Sequence, residues 1–370
     1  MTITYYSYDH IDNPRCGGGG AYRGLEIHKR LAPAHTITFV SGNFAQAQDG
    51  RKYGIDFHFP GLRRNYLLSR ISFALLATWR SLFDRADVLV IEFSVYAPVP
   101  TFLFKPRRTI VQFNHIIGNE PIKKYGVFGI AAWIAERIAL AGSKNLITIA
   151  ESTACLIRQK YPEGKDIRVI YTGFNEELLR LKPEDNRYIL CLGRLDVHMK
   201  GIDILLHAYR QISSKIATPP LVLAGRGTQK DIAWIGNFIS AHKLNCRLHI
   251  NISEEQKFDL LRKASFVCMP SRFEGWNIVA IEAAACSKAT IGTNIPGLRD
   301  SIRHENTGIL VEPESSERLA TALKKMITDA DYRAGLARNG RQWARTFTWD
   351  AIAAEQERFY LDLSNKRSSH

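Results

Sequence analysis

The chain has 370 residues, 45% hydrophobic and 23% charged, which suits two globular domains and excludes a disordered polypeptide. Lys and Arg number 50 against 36 Asp and Glu, a formal charge of +14, and the excess concentrates in residues 1–175, with 22 basic and 13 acidic side chains. Phosphate-bearing substrates, anionic lipid and nucleic acid are the partner classes such a charge admits. The six cysteines are scattered without a C-x-x-C pair, which argues against a zinc site or a disulfide framework and fits a reducing cytoplasm.

Met1 runs straight into a strand-like segment, with no basic region or cleavage site of a secretory leader. The first half then alternates strands and helices, the pattern of a parallel sheet covered on both faces. Strands are expected at 3–8, 36–42, 55–59, 87–93, 109–115, 145–150 and 167–173, and helices at 21–31, 67–83, 128–141 and 151–161. The stretch 66–83 carries Arg70 and Arg80 in its interior and reads as a buried or surface helix rather than a membrane span.

Four glycines, 17–20, lead into the first helix and strip the loop of β-carbons, so that backbone N–H groups can approach an anion. No Gly-Lys-Ser/Thr follows, so this is not a Walker loop. His115 closes a strand at the carboxyl edge, where open α/β sheets place ligands, with Asn114 and Asn119 beside it. Two basic, aromatic stretches, 101–108 and 121–133, suit a membrane interface. A polar, proline-bearing segment around 173–186 reads as an interdomain linker.

The strand–helix rhythm restarts at Tyr188. A strand ends in Gly193-Arg194, and Lys200-Gly201 precede the next helix; two cations so placed would neutralise a diphosphate. Strands follow at 220–227 and 248–253. Residues 265–286 read as strand, turn and helix, with Glu274 in the turn and Glu282 after seven intervening residues. A helix starting at Trp276 or Asn277 sets the two acids roughly 12 Å apart along its axis, too far to share a proton. The first-turn amides of Asn277, Ile278 and Val279 form an anion site between them.

This E-x7-E spacing, the Gly193-Arg194/Lys200-Gly201 pair, the glycine loop and the Pro296-Gly297 and Thr307-Gly308 turns resemble the retaining glycosyltransferases of family 4, which have the GT-B fold. The resemblance covers nearly the whole chain and is most specific over 188–314. At 173–175 the chain has Gly-Phe-Asn where the family usually has glycine, a small apolar residue and aspartate.

The resemblance implies an α/β architecture of two Rossmann-like, doubly wound domains facing across a cleft. The acceptor-side domain would be 1–173 plus 350–370, completed by a terminal helix over 349–363, and the nucleotide-sugar domain 174–349. It implies transfer of a hexosyl group from a UDP- or GDP-sugar to a saccharide or lipid-linked saccharide, in synthesis of a cell-surface polysaccharide or glycolipid. The donor is a co-substrate, and neither cofactor nor metal is expected.

Gly19, Gly20, Arg194, Lys200 and the amides at 277–279 would hold the diphosphate, backbone near Ile252 the base, and Glu282 the ribose. Glu274 would bind sugar hydroxyls and His115 would lie beside the reacting carbon. The expected location is the cytoplasm, with the inner face of an anionic membrane as a further partner. Two other readings stand beside it: a sugar-nucleotide epimerase sharing the same shell, and a basic nucleic-acid-binding protein, which net charge alone supports.

Overall fold

The computed structural model describes residues 1–14, 16–63, 65–98, 100–116, 118 and 127–368. Asn119 and residues 121–126 of the second basic stretch lie outside them. The chain divides into two compact units, Met1–Thr172 with Trp349–His370, and Gly173–Thr348.

In the first unit the strands are β1 (Thr2–Ser7), β2 (Thr36–Ser41), β3 (Gly50–Lys52), β4 (Ile55–His58), β5 (Val88–Glu92), β6 (Thr109–Phe113), β7 (Asn145–Thr148) and β8 (Asp166–Val169). Their order is β3-β4-β2-β1-β5-β6-β7-β8, parallel except for β3. β3, an exposed three-residue hairpin arm, has no hydrophobic alternation and went unseen in the sequence. Strands β5, β6 and β7 are buried along their whole length, as expected of a parallel sheet covered on both faces.

The helix Trp349–Ser368 returns to this unit and packs on the helix Gly19–Leu31. Trp349, Ile352, Phe359, Tyr360 and Leu363 join the same core as Tyr5, Ile27 and Phe39. The fully buried Arg23 guanidinium donates to Gln112 Oε1 (2.8 Å), the Ile170 carbonyl (2.9 Å) and Gln356 Oε1 (2.9 Å), tying the first helix, the sheet and the last helix together.

In the second unit β9 (Ile189–Leu192), β10 (Leu221–Gly225), β11 (Cys246–Ile250), β12 (Phe266–Met269), β13 (Ala289–Thr293) and β14 (Gly308–Val311) form a parallel sheet in the order β11-β10-β9-β12-β13-β14. This is the doubly wound Rossmann order, and its switch point lies between the carboxyl ends of β9 and β12. Strand β11 ends at Ile250, earlier than the sequence suggests, because Asn251 turns the backbone to φ +56°.

Candidate functional site

The carboxyl ends of β9 and β12 open into a pocket in the second unit, lined by Gly193, Arg194, Lys200, Ser271, Glu274 and the residues 276–279, among others. Its floor depends on close backbone approaches. Gly201, at φ +63°, stands so near the Pro270 carbonyl that a β-carbon would fall 2.0 Å from its oxygen. Gly297, at φ +82°, lies likewise against the Glu274 backbone, where a β-carbon would come within 2.5 Å. The loop that carries Glu274 is therefore held from both sides by glycines.

Arg272 fixes the same loop from outside. Its guanidinium donates to both Asp203 oxygens at 2.8 Å, and to Glu314 and the His198 carbonyl. This bidentate grip holds the Arg272 pKa above its ordinary value. The sequence reading missed Arg272, because its partners stand 69 and 42 residues away and no local motif joins them.

Glu274 Oε1 accepts from Lys200 Nζ (2.5 Å), Ser271 Oγ (2.8 Å) and Asn277 Nδ2 (3.0 Å). Its Oε2 has no hydrogen-bond donor among the described residues. Lys200 thus lines the pocket already paired with a carboxylate. Arg194 is exposed, lines the same pocket and makes no side-chain hydrogen bond or ion pair with a described residue.

Asn277 is the N-cap of the helix Ile278–Ala285, its Oδ1 accepting from the Ala280 amide at 3.0 Å. That capping leaves the amides of Ile278 and Val279 at the pocket wall, in the first turn where no intrahelical acceptor exists. Partial positive charge therefore gathers beside Arg194.

Glu282 lies one turn beyond Ile278 but does not line the pocket; it is 3% exposed. Its Oε1 accepts from Lys257 Nζ at 2.8 Å, and its Oε2 is buried without a donor among the described residues. Burial raises the Glu282 pKa, and Lys257 offsets part of that rise. A buried carboxylate oxygen left unsatisfied costs about 1–3 kcal/mol. Ile252, expected near the base, is in the loop past β11, does not line the pocket either and is half-buried.

The remaining expected residues belong to the first unit. Helix Gly19–Leu31 begins at the third glycine of the run, so Gly19 and Gly20 lie in its first turn instead of preceding it. A β-carbon on Gly20 would lie 2.3 Å from Glu92 Oε1 and 2.8 Å from Asn114 Nδ2, which explains glycine there. Glu92, at the end of β5, accepts from Tyr5 Oη (2.9 Å) and Asn114 Nδ2 (2.5 Å). Next to it, burial and the Glu92 charge push the Asp9 carboxyl up to about 6.

His115 is exposed by area, yet its ring sits in surroundings dense enough that desolvation lowers its pKa, against the pull of Glu92. Asp9 and Glu92 were not singled out in the sequence; the adjacency of β1 and β5, which brings them together, is topological.

Comparison with known proteins gives the following. The chain is 31% identical over 201 residues to an uncharacterized glycosyltransferase of Methanocaldococcus jannaschii, covering 53% of this chain and 54% of that one. The chain spans about half the length of the curated relatives it matches. Among solved structures, sucrose-phosphate synthase from Thermosynechococcus elongatus aligns with a TM-score of 0.78 at 20% identity, over 98% of this chain and 99% of that one. Anabaena HepE in complex with UDP and glucose aligns with a TM-score of 0.75 at 16% identity, over 98% and 100%. These neighbours show the GT-B fold. Residues 179–343, which hold the whole pocket just described, match the family of glycosyl transferases group 1.

Proposed function

We propose that the chain is a retaining, metal-independent glycosyltransferase that moves a hexosyl group from a UDP- or GDP-sugar to a saccharide or lipid-linked saccharide acceptor. The observation that carries the reading is the pocket at the switch point of the second sheet. There a guanidinium and a carboxylate oxygen, neither of them paired among the described residues, line the same space as first-turn amides. Cation and amides suit a diphosphate, and the carboxylate suits hydroxyls. The family match over 179–343 and the UDP and glucose in the HepE complex support it.

In this reading Arg194, the ammonium of Lys200 and the amides at 277–279 hold the diphosphate and take up the charge that grows on it as the sugar leaves. Glu274 Oε2 accepts from a sugar hydroxyl, and its Oε1 is held still by three donors, which orients the ring. Glu282 Oε2 accepts from a ribose hydroxyl, and the backbone near Ile252 meets the base. Gly19, Gly20 and His115 keep the roles that the resemblance implies. The sugar–phosphate bond breaks as the acceptor oxygen bonds to the anomeric carbon on the same face, and the leaving phosphate oxygen takes the acceptor's proton. Charge stabilisation by Arg194 and Lys200 makes a divalent cation dispensable.

Thermal-shift screening of UDP-, GDP- and ADP-sugars identifies the donor. Transfer in the presence of EDTA, with the product's anomeric configuration read by NMR, then tests the chemistry. A retained configuration and undiminished rate are expected. An inverted product, or an isomerised sugar nucleotide formed without acceptor, contradicts the proposal.

A further inference from the structure

No helix among the described residues is long and apolar enough to cross a membrane. The helix Tyr66–Phe83 is nevertheless apolar on two faces. Ser69, Phe73, Ala77 and Ser81 face inward and are buried, and Phe73 and Ala77 join a core with Tyr6, Tyr8 and Val40. The opposite face presents Leu67, Ile71, Leu75, Trp79 and Phe83, four residues apart and therefore in one row. Leu75 is 68%, Trp79 65% and Phe83 65% exposed, and Leu68 and Leu76 widen the row. Monomeric proteins rarely leave more than a few hundred Å² of contiguous apolar surface open, and such patches mark docking sites.

Charge identifies the occupant. From Phe57 to Phe83 there is no acidic residue, and none from Thr101 to Arg108. The two segments meet: Lys105 Nζ donates to the Ser81 carbonyl at 3.0 Å, and Phe83, Arg85, Phe104 and Arg107 line one surface depression. Phe104 is itself 69% exposed. Asp84, the acid in that depression, accepts from Tyr6 Oη at 2.8 Å. Exposed Arg63, Arg80, Arg85 and Arg107 thus flank the apolar row. A second copy docked on this face would oppose arginine to arginine. An anionic bilayer satisfies both parts, with phosphates at the guanidinium groups and the apolar row in the acyl boundary, where Trp79 finds its preferred depth.

We infer that the helix Tyr66–Phe83, with the segment 101–108 as its basic edge, is a monotopic docking face for an anionic lipid surface. The inference moves the expected contact onto a helix that sequence reading had set aside, and it stands whether or not the second unit transfers sugar.

The test is co-sedimentation of the full chain with vesicles of equimolar phosphatidylglycerol and phosphatidylcholine, against phosphatidylcholine alone. Wild-type chain should pellet with the anionic vesicles and stay in solution with the neutral ones. The exposed double variant Leu75→Glu/Trp79→Glu should keep its circular dichroism and melting temperature and lose at least tenfold in partitioning. Wild-type chain left in solution with both vesicles would overturn the inference. So would a folded variant that partitions like wild type, or a lipid-free wild-type dimer that the variant abolishes, which would assign the face to a second copy.

Discussion

At Glu274 one carboxylate oxygen is held by three donors while the other has none among the described residues. Replacing Glu274 with alanine removes the proposed sugar contact and also frees the Lys200 ammonium. Turnover should therefore fall about a hundredfold or more while UDP or GDP binding holds or tightens, as read by steady-state kinetics and titration calorimetry. Glu282→Gln should behave oppositely. In the proposed reading the buried Oε2 loses its acceptor role toward ribose, so nucleotide affinity should drop about tenfold or more, with kcat at saturating donor changed far less. The seven-residue interval and the cap at Asn277 were readable because strand, turn and helix follow one another in the chain. The pairing of Lys200 with Glu274, across 74 residues, and the burial of Glu282 beneath Lys257 were not, since both depend on how separate helices pack.

Arg272 ties the Glu274 loop to the helix Ile202–Ser213 through a planar fork that lysine cannot reproduce. Arg272→Lys should thus lower kcat with little change in nucleotide affinity, and kinetics beside calorimetry will show whether the two separate. In the first unit, His28 is fully buried between Gly24 O (2.7 Å) and Tyr360 Oη (3.1 Å), and burial brings its pKa down to about 4. Its unfolded value is about 6.5, so the unfolded chain binds the proton first. His28 should cost the unit up to about 3 kcal/mol as pH falls from about 6.5 to 4, with nothing lost above that window. Urea unfolding at pH 7.5 and 4.5 should show His28→Gln with a smaller acid loss than wild type. The contact of the first and last helices has no sequence signature beyond an amphipathic pattern. The aromatic face of 349–363 shows that the terminal helix needs a partner, and not which one.

Over the whole molecule, the strand–helix rhythm yields two parallel sheets, and apart from the exposed hairpin arm β3 the strands are where their apolar runs place them. Boundaries moved by one to five residues: β11 ends early where Asn251 turns the backbone, β8 stops four residues short of the expected end, and the last helix runs five residues further. The basic excess of the first half is in part resolved into four exposed arginines around an apolar helix face, a feature whose meaning depends on which side of that helix the core takes. In the proposed function the pocket between β9 and β12 grips an activated sugar by its diphosphate. The most direct measurement is sugar transfer and nucleotide binding by the folded double variant Arg194→Ala/Lys200→Ala, once its donor is identified. The account predicts that turnover falls by at least three orders of magnitude and that nucleotide affinity weakens with it; undiminished transfer by that variant would contradict it.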